Sequence, residues 1–194
     1  MSKRMLVILG HADGDSYCAA LAQTYAAAAR AAGNEVRLLR LGELDFDPVL
    51  RHGYRVIQPL EPDLQAAQQA ISWAEHLVWV YPIWWGALPA LLKGFIDRVF
   101  LPGFAFKYRK KSPLPEKLLT GKTARIMITM DAPGWYYRWF NRAPGLRLLK
   151  FATLEFCGIK PVRYSLFGMV RHAPEKRLQK YIEEARRIGQ KEAR

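Results

Sequence analysis

Only two cysteines occur in the 194 residues, Cys18 and Cys157, far apart and with no metal-ligand partner at motif spacing. That scarcity excludes a disulfide scaffold and a zinc site, and it suits a reducing cytoplasm. Long apolar runs are missing too. The longest, Leu77 to Leu92, is too short for a membrane span and is cut by Pro82, Gly86 and Pro89. Met1-Ser2-Lys3-Arg4 leads into a short apolar stretch ending at Gly10, without the longer run and small-residue cleavage site of a signal peptide. The chain therefore reads as soluble and cytoplasmic. Acidic residues are few: 17 Asp and Glu against 30 Lys and Arg give a formal net charge of +13. Such a balance suits nucleic acid, a membrane surface or anionic ligands. The cations are dispersed, however, with one dense run at Lys107-Tyr108-Arg109-Lys110-Lys111 and no helix-turn-helix, zinc-finger or RNA-binding signature. A solvated basic surface is expected, and no nucleic-acid partner.

Apolar residues are plentiful. They make up 51% of the chain, which excludes global disorder and lets one domain over 1–194 bury a core. Arg4 to Leu9 is a short buried strand. Ser16 offers a helix N-cap, and Tyr17, Leu21, Tyr25, Ala28 and Ala32 follow at helical spacing up to Gly33-Asn34. Glu35 to Leu41 is a second strand, Leu44 to Pro62 a loop, Asp63 to Glu75 a helix, and Leu77 to Tyr81 a third strand. Pro89 opens an amphipathic helix through Val99. Leu101 to Thr120 reads as a Pro-, Gly- and Lys-rich connection. Ala124 to Thr129 is a fourth strand, Leu146 to Phe156 a helix closed by Gly158, Val162 to Phe167 a fifth strand, and Pro174 opens a last helix.

Strands alternating with helices imply right-handed crossovers and a parallel sheet covered on both faces. Five strands suit the α/β doubly wound, flavodoxin-like order 2-1-3-4-5, which puts ligand at the carboxyl ends of strands 1, 3 and 4. The chemistry is therefore expected in three loops: Gly10 to Ser16, Pro82 to Leu88, and Met130 to Pro144. In the first, backbone N–H groups and a helix dipole form an anion site suited to a flavin phosphate, with His11 and Ser16 as side-chain donors. Asp13 and Asp15 oppose an anion unless they point outward or cap the backbone. In the second, Trp84 and Trp85 are adjacent in a turn and cannot both face one core.

The second loop carries a resemblance. Pro82-Ile83-Trp84-Trp85-Gly86, Pro89-Ala90-Leu91-Leu92-Lys93-Gly94 and Gly103-Phe104-Ala105-Phe106, in that order, resemble the NAD(P)H:quinone oxidoreductase family. That family includes modulators of drug activity and ancillary oxidoreductases of potassium-efflux systems. The resemblance spans nearly the whole chain, from the His11 loop to Phe156-Cys157-Gly158. It implies a bound flavin held by His11, Ser16, Tyr17 and Cys18 in the first loop and by Pro82, Ile83, Trp84, Trp85 and Gly86 in the second. Thr129, Met130, Asp131, Gly134 and Tyr137 complete the implied set. Trp85 and Tyr137 are expected nearest the chemistry, Tyr137 as a proton donor.

The third loop departs from relatives with a Thr-Thr-Gly-Gly turn: Asp131 and Ala132 stand in place of the glycines, Pro133 removes a backbone donor, and no histidine follows until His172. Cys18 stands where relatives often have asparagine. The implied reaction is ping-pong, two-electron reduction of quinones or of azo or nitroaromatic acceptors by NAD(P)H. The short C-terminal tail favours FMN over FAD. A regulatory ancillary subunit of a potassium-efflux system is the alternative function, while an electron shuttle is disfavoured.

Relatives are homodimers, and the aromatic loops Phe104 to Tyr108 and Trp135 to Phe140 are expected to help close a partner's site. Lys107, Arg109, Lys110 and Lys111 either meet the 2′-phosphate of NADPH or form a plain solvated loop. Trp135 to Phe140 is expected to form a wall of the quinone slot, ahead of a membrane contact beside Arg138 and Arg142.

Overall fold

In the computed structural model, which describes residues 2–109 and 112–192, the elements follow as β1 (Arg4–Leu9), α1 (Tyr17–Ala31), β2 (Glu35–Arg40), α2 (Pro62–Trp73) and β3 (His76–Pro82). Then come α3 (Ala90–Val99), β4 (Phe106–Arg109), β5 (Ser112–Lys117), β6 (Thr123–Thr129), α4 (Gly134–Trp139), α5 (Pro144–Arg147), β7 (Val162–Phe167) and α6 (Glu175–Glu192). A strand covered on both faces must be apolar on both, and every residue of β3 is buried, as is β1 from Met5 onward. Alternate side chains feed two cores. Leu6, Ile8, Leu77, Trp79 and Tyr81 join one core with Leu64 of α2 and Phe95 of α3. Met5, Val7, Leu9, Val78 and Val80 join the other with Leu21 of α1 and Ile188 of α6.

The five parallel strands lie in the order β2-β1-β3-β6-β7. Counted within that sheet, this is the expected 2-1-3-4-5 arrangement, with Met5 beside His76, His76 beside Thr123 and Ala124 beside Val162. The chain has two strands more than the sequence indicated, because β4 and β5 pair antiparallel where an irregular connection was expected. The prolines of Ser112–Lys117 hid the second strand. A two-stranded ribbon leaves one edge of each strand unpaired, so residues without an N–H are tolerated there.

Two helical expectations also need correction. The helix read from Leu146 starts earlier, at Pro144, and from Leu148 to Glu155 is wound as a π-helix rather than an α-helix. The third loop contains a short helix, α4, that its Trp- and Tyr-rich sequence did not announce. Elsewhere local signals worked. The Ser16 hydroxyl accepts from the Ala19 N–H at 3.3 Å, capping α1, and Gly33 adopts φ +91° just beyond its end. No helix is long and apolar enough to cross a membrane among the described residues.

Candidate functional site

The carboxyl ends of β1, β3 and β6 bring the three expected loops together, and each is pinned differently. The first loop folds on itself. Nδ1 of His11 accepts the Asp13 N–H at 2.9 Å, Oδ1 of Asp13 accepts the Asp15 N–H at 2.8 Å, and the Ser16 hydroxyl donates to the Asp13 carbonyl at 2.8 Å. Asp13 is thus spent on the backbone rather than facing an incoming anion. The loop is braced from behind by Gly42: a Cβ there would lie 2.0 Å from the Ala12 carbonyl oxygen, so only glycine permits the approach. At the start of α1 the N–H groups of Tyr17 and Cys18 have no acceptor among the described residues.

Their side chains turn away from the opening. The Tyr17 hydroxyl donates to the Leu178 carbonyl at 2.7 Å, tying α1 to α6, and burial pushes its pKa up to about 12. Cys18 is buried with Sγ 3.1 Å from Oγ1 of Thr129, and burial pushes the thiol up to about 12, leaving it unreactive. This contact joins the first helix to the end of β6. In both residues the part left for a ligand is the backbone.

The second loop is a two-residue reversal. Trp84 and Ala87 exchange both backbone hydrogen bonds, at 3.1 and 2.9 Å, while Trp85 and Gly86 have φ +51° and +78°. These are the signs of a type I′ turn, which favours Asn-Gly because both central residues need positive φ. A tryptophan at the first central position is strained by about 1–3 kcal/mol. Its indole is fully exposed at 104%, so no packing within the chain offsets that cost. Trp84 is half exposed, its ring edge-on to His11 with centroids 5.3 Å apart. Ile83 anchors the base of the turn, donating to the Thr129 carbonyl at 2.8 Å, and Pro82 ends β3 in full burial.

The third loop leaves β6 through Thr129 and Met130. Met130 is buried, bonded through its N–H to the Phe167 carbonyl at 3.0 Å and through its carbonyl to the Val170 N–H at 3.1 Å. Asp131 is exposed and accepts the Arg171 N–H at 3.1 Å, which draws its carboxylate toward Arg171. The N–H groups of Asp131, Ala132 and Gly134 take no acceptor among the described residues. Tyr137 sits differently from the open position expected of a proton donor. Its ring is buried, and its hydroxyl accepts the Leu146 N–H at 3.1 Å and lies 3.4 Å from the Gly86 carbonyl. Burial raises its pKa. Gly145 also donates to the Gly86 carbonyl at 3.1 Å.

The sequence did not single out Gly42, Gly145 or Leu146, because braces of this kind are separated along the chain. The Pro144-Gly145 pair was the one local signal. Tyr81 was placed only as a strand residue. Its hydroxyl is buried without a partner among the described residues, one residue before the second loop and in the core it shares with Tyr137. Of the basic run, Lys107 and Arg109 lie on β4, while Lys110 and Lys111 lie outside the described residues.

The donor set fits a phosphorylated, flat aromatic cofactor. Two free N–H groups at a helix start suit a phosphate, an unpacked tryptophan suits a ring face, and free N–H groups in the third loop suit carbonyl and ring-nitrogen acceptors. The groove of about 470 Å³ lined by Gln23, Ala27, Arg186 and Gln190 lies instead along the later turns of α1 and α6, well beyond Ser16.

Comparison with known proteins agrees with this geometry. A family described as flavodoxin-like fold matches residues 3–189. An uncharacterized NAD(P)H oxidoreductase of Haemophilus influenzae is 30% identical over 185 residues, covering 92% of this chain and 90% of the relative. NAD(P)H dehydrogenase (quinone) 1 of Rattus norvegicus is 25% identical over 199 residues, covering 89% of this chain and 71% of the relative. Among solved structures, an FMN-dependent NADH-azoreductase of Bacillus anthracis in complex with FMN has a TM-score of 0.72 and 19% identity, with 100% of both chains covered, and it shares the fold.

Proposed function

The chain belongs to the family of flavodoxin-like fold, and on that premise we propose that it is an FMN-dependent NAD(P)H:quinone oxidoreductase whose residues 1–194 act as one flavin-binding domain. The observation that carries the reading is the Trp84–Ala87 reversal, where a strained backbone holds a fully exposed indole in a loop whose Trp84 ring meets His11 of the loop before α1. Strain that no internal contact relieves points to a ligand that does so.

In this reading the Tyr17 and Cys18 N–H groups bind the phosphate, helped by the α1 dipole, while one Asp13 oxygen is held by the Asp15 N–H. Pro82 to Gly86 line one side of the ring. The Asp131, Ala132 and Gly134 N–H groups would hold the ring through its polar atoms, as preorganised donors do without reorganising. The chemistry supplied by bound FMN is two-electron transfer, from NAD(P)H in one half-reaction and to a quinone or an azo or nitroaromatic acceptor in the next, which makes the cycle ping-pong. Trp84 and Trp85 exclude water and orient the flat partner over the ring. Tyr137 is a positioning residue, holding the Gly86 carbonyl and the start of α5 in place.

The working unit is a homodimer in which the Phe104 to Tyr108 segment closes the partner's site, because Tyr108 and Leu114 on the hairpin are exposed within one chain. The direct test is to titrate the apo-protein with FMN and then assay NADH and NADPH oxidation with a water-soluble quinone. Stoichiometric FMN binding with quinone-dependent turnover supports the reading. Turnover without flavin would overturn it.

A further inference from the structure

Thr129, the last residue of β6, ties the second loop to the third. Its carbonyl accepts the Ile83 N–H at 2.8 Å, at the base of the Trp84–Ala87 reversal. The strand ladders set it beside Pro82 of β3 and Phe167 of β7. Met130 follows, and its N–H donates to the Phe167 carbonyl at 3.0 Å, so the third loop leaves from a fixed point. The remaining polar group, Oγ1 of Thr129, lies 3.1 Å from Sγ of Cys18 in the first turn of α1. Both side chains are buried.

Cys18 therefore faces two ways. Its N–H is one of two at the α1 start without an acceptor among the described residues, while its thiol turns inward onto Thr129. Its neighbours reach elsewhere. The Tyr17 hydroxyl goes to Leu178 of α6, and the bonds of His11, Asp13 and Ser16 close within the first loop and its helix. Among the described residues, Cys18–Thr129 is thus the one side-chain hydrogen bond from the α1 start to the other two loops. Burial keeps the thiol protonated, with its pKa pushed up to about 12, so the contact joins two neutral groups. Removing either partner leaves the other buried without it, which is costlier than never burying it.

We propose that Cys18 and Thr129 are positioning residues that couple the phosphate end of the cofactor site to its ring end. The inference rests on the flavin reading, and neither side chain needs to touch the cofactor. A shift of the α1 start passes through the contact to the Thr129 carbonyl, and from there to Ile83 and the tryptophan turn. Such coupling is reciprocal: a change at Cys18 is felt at the ring, and a change at Thr129 is felt at the phosphate.

The test compares FMN with riboflavin, which keeps the ring and lacks the phosphate, by quenching of flavin fluorescence. Cys18→Ala and Thr129→Val are each expected to weaken FMN binding about two- to tenfold, and the double variant no further than the weaker-binding single. Cys18→Ala should weaken riboflavin as well, and Thr129→Val should lower the advantage of FMN over riboflavin. Cys18→Ser, which returns a hydrogen-bonding group to Thr129, should recover wild-type affinity. Visible circular dichroism of the FMN-saturated proteins reads the fixed orientation of the ring. It should change in both single variants and not in Cys18→Ser. Each single variant tests the pair by itself, so one that fails to fold leaves the other to decide. Weaker FMN with unchanged riboflavin in Cys18→Ala overturns the proposal, because the effect then stops at the phosphate. Additive losses with an unaltered dichroism spectrum overturn it too, since independent packing gives that result. Wild type that binds neither flavin rejects the cofactor reading and this inference together; wild type that binds FMN no better than both variants rejects the inference alone.

Discussion

The imidazole of His11 meets the indole of Trp84 edge to face, with centroids 5.3 Å apart and planes at 73°. This contact links the loop after β1, the proposed source of the phosphate donors, to the loop after β3, the proposed ring wall. An aromatic pair of this kind contributes about 0.5–1.5 kcal/mol beyond its buried area. His11→Ala should therefore weaken FMN binding by about two- to tenfold, with little change in thermal stability. Quenching of flavin fluorescence measures the affinity, and an unchanged value would mean the two loops hold their relation without the ring pair.

Trp85 sets stability against function. Trp85→Asn creates the Asn-Gly pair that a type I′ turn prefers and removes a bulky side chain from φ +51°. The apo-protein should gain about 1 kcal/mol, seen as a rise in Tm, while FMN affinity falls about tenfold. A gain in stability with unchanged affinity would show that the indole does not meet the ring.

Tyr137→Phe separates positioning from proton transfer. The change leaves the Leu146 N–H without its acceptor and should cost about 1–3 kcal/mol of stability. Weaker FMN binding with an unaltered pH profile of kcat identifies a positioning role. A large loss of kcat at unchanged affinity would restore the hydroxyl as a proton donor.

These side chains also mark how far the sequence could be read. Sheet order was legible because β1 and β3 are apolar on both faces, a pattern of buried parallel strands. The three loops followed from that order, and the Ser16 cap and the Gly33 stop from local chemistry. The β4–β5 hairpin was not legible, since its prolines argue against a strand unless the ribbon's open edge is known. The inward turn of Tyr17, Cys18 and Tyr137 was hidden for a related reason. Each is fixed by a partner far along the chain, Leu178, Thr129 and Leu146, and loop membership alone does not say which way a side chain faces.

At the opposite end of the sheet, Glu192 closes α6 against the strands. Its carboxylate accepts from Arg125 Nε at 2.9 Å and from the Tyr25 hydroxyl at 3.0 Å, and His76 Nε2 approaches at 3.3 Å without good hydrogen-bond alignment. Burial alone would raise the Glu192 pKa, but His76 and Arg125 hold it down, from 4.5 to about 2. The folded value lies below the unfolded one, so the carboxylate stabilises the fold above about pH 4.5 and loses that contribution as pH falls toward about 2. Glu192→Gln should cost about 3 kcal/mol near neutrality by leaving the Arg125 charge buried. It should also flatten the acid limb of a urea-denaturation pH series, and an unchanged slope below pH 4.5 would contradict the assignment.

The central claim is that one site takes electrons from NAD(P)H and passes them to a quinone in separate steps. Anaerobic stopped-flow mixing of the FMN-loaded protein with NADPH or NADH, followed by a second mixing with a water-soluble quinone, tests it most directly. Rapid bleaching of the yellow colour in the first mixing, and its full return in the second after the nicotinamide has been removed, is the predicted result. No bleaching by either nicotinamide, or return of colour only while the nicotinamide remains bound, would contradict the account.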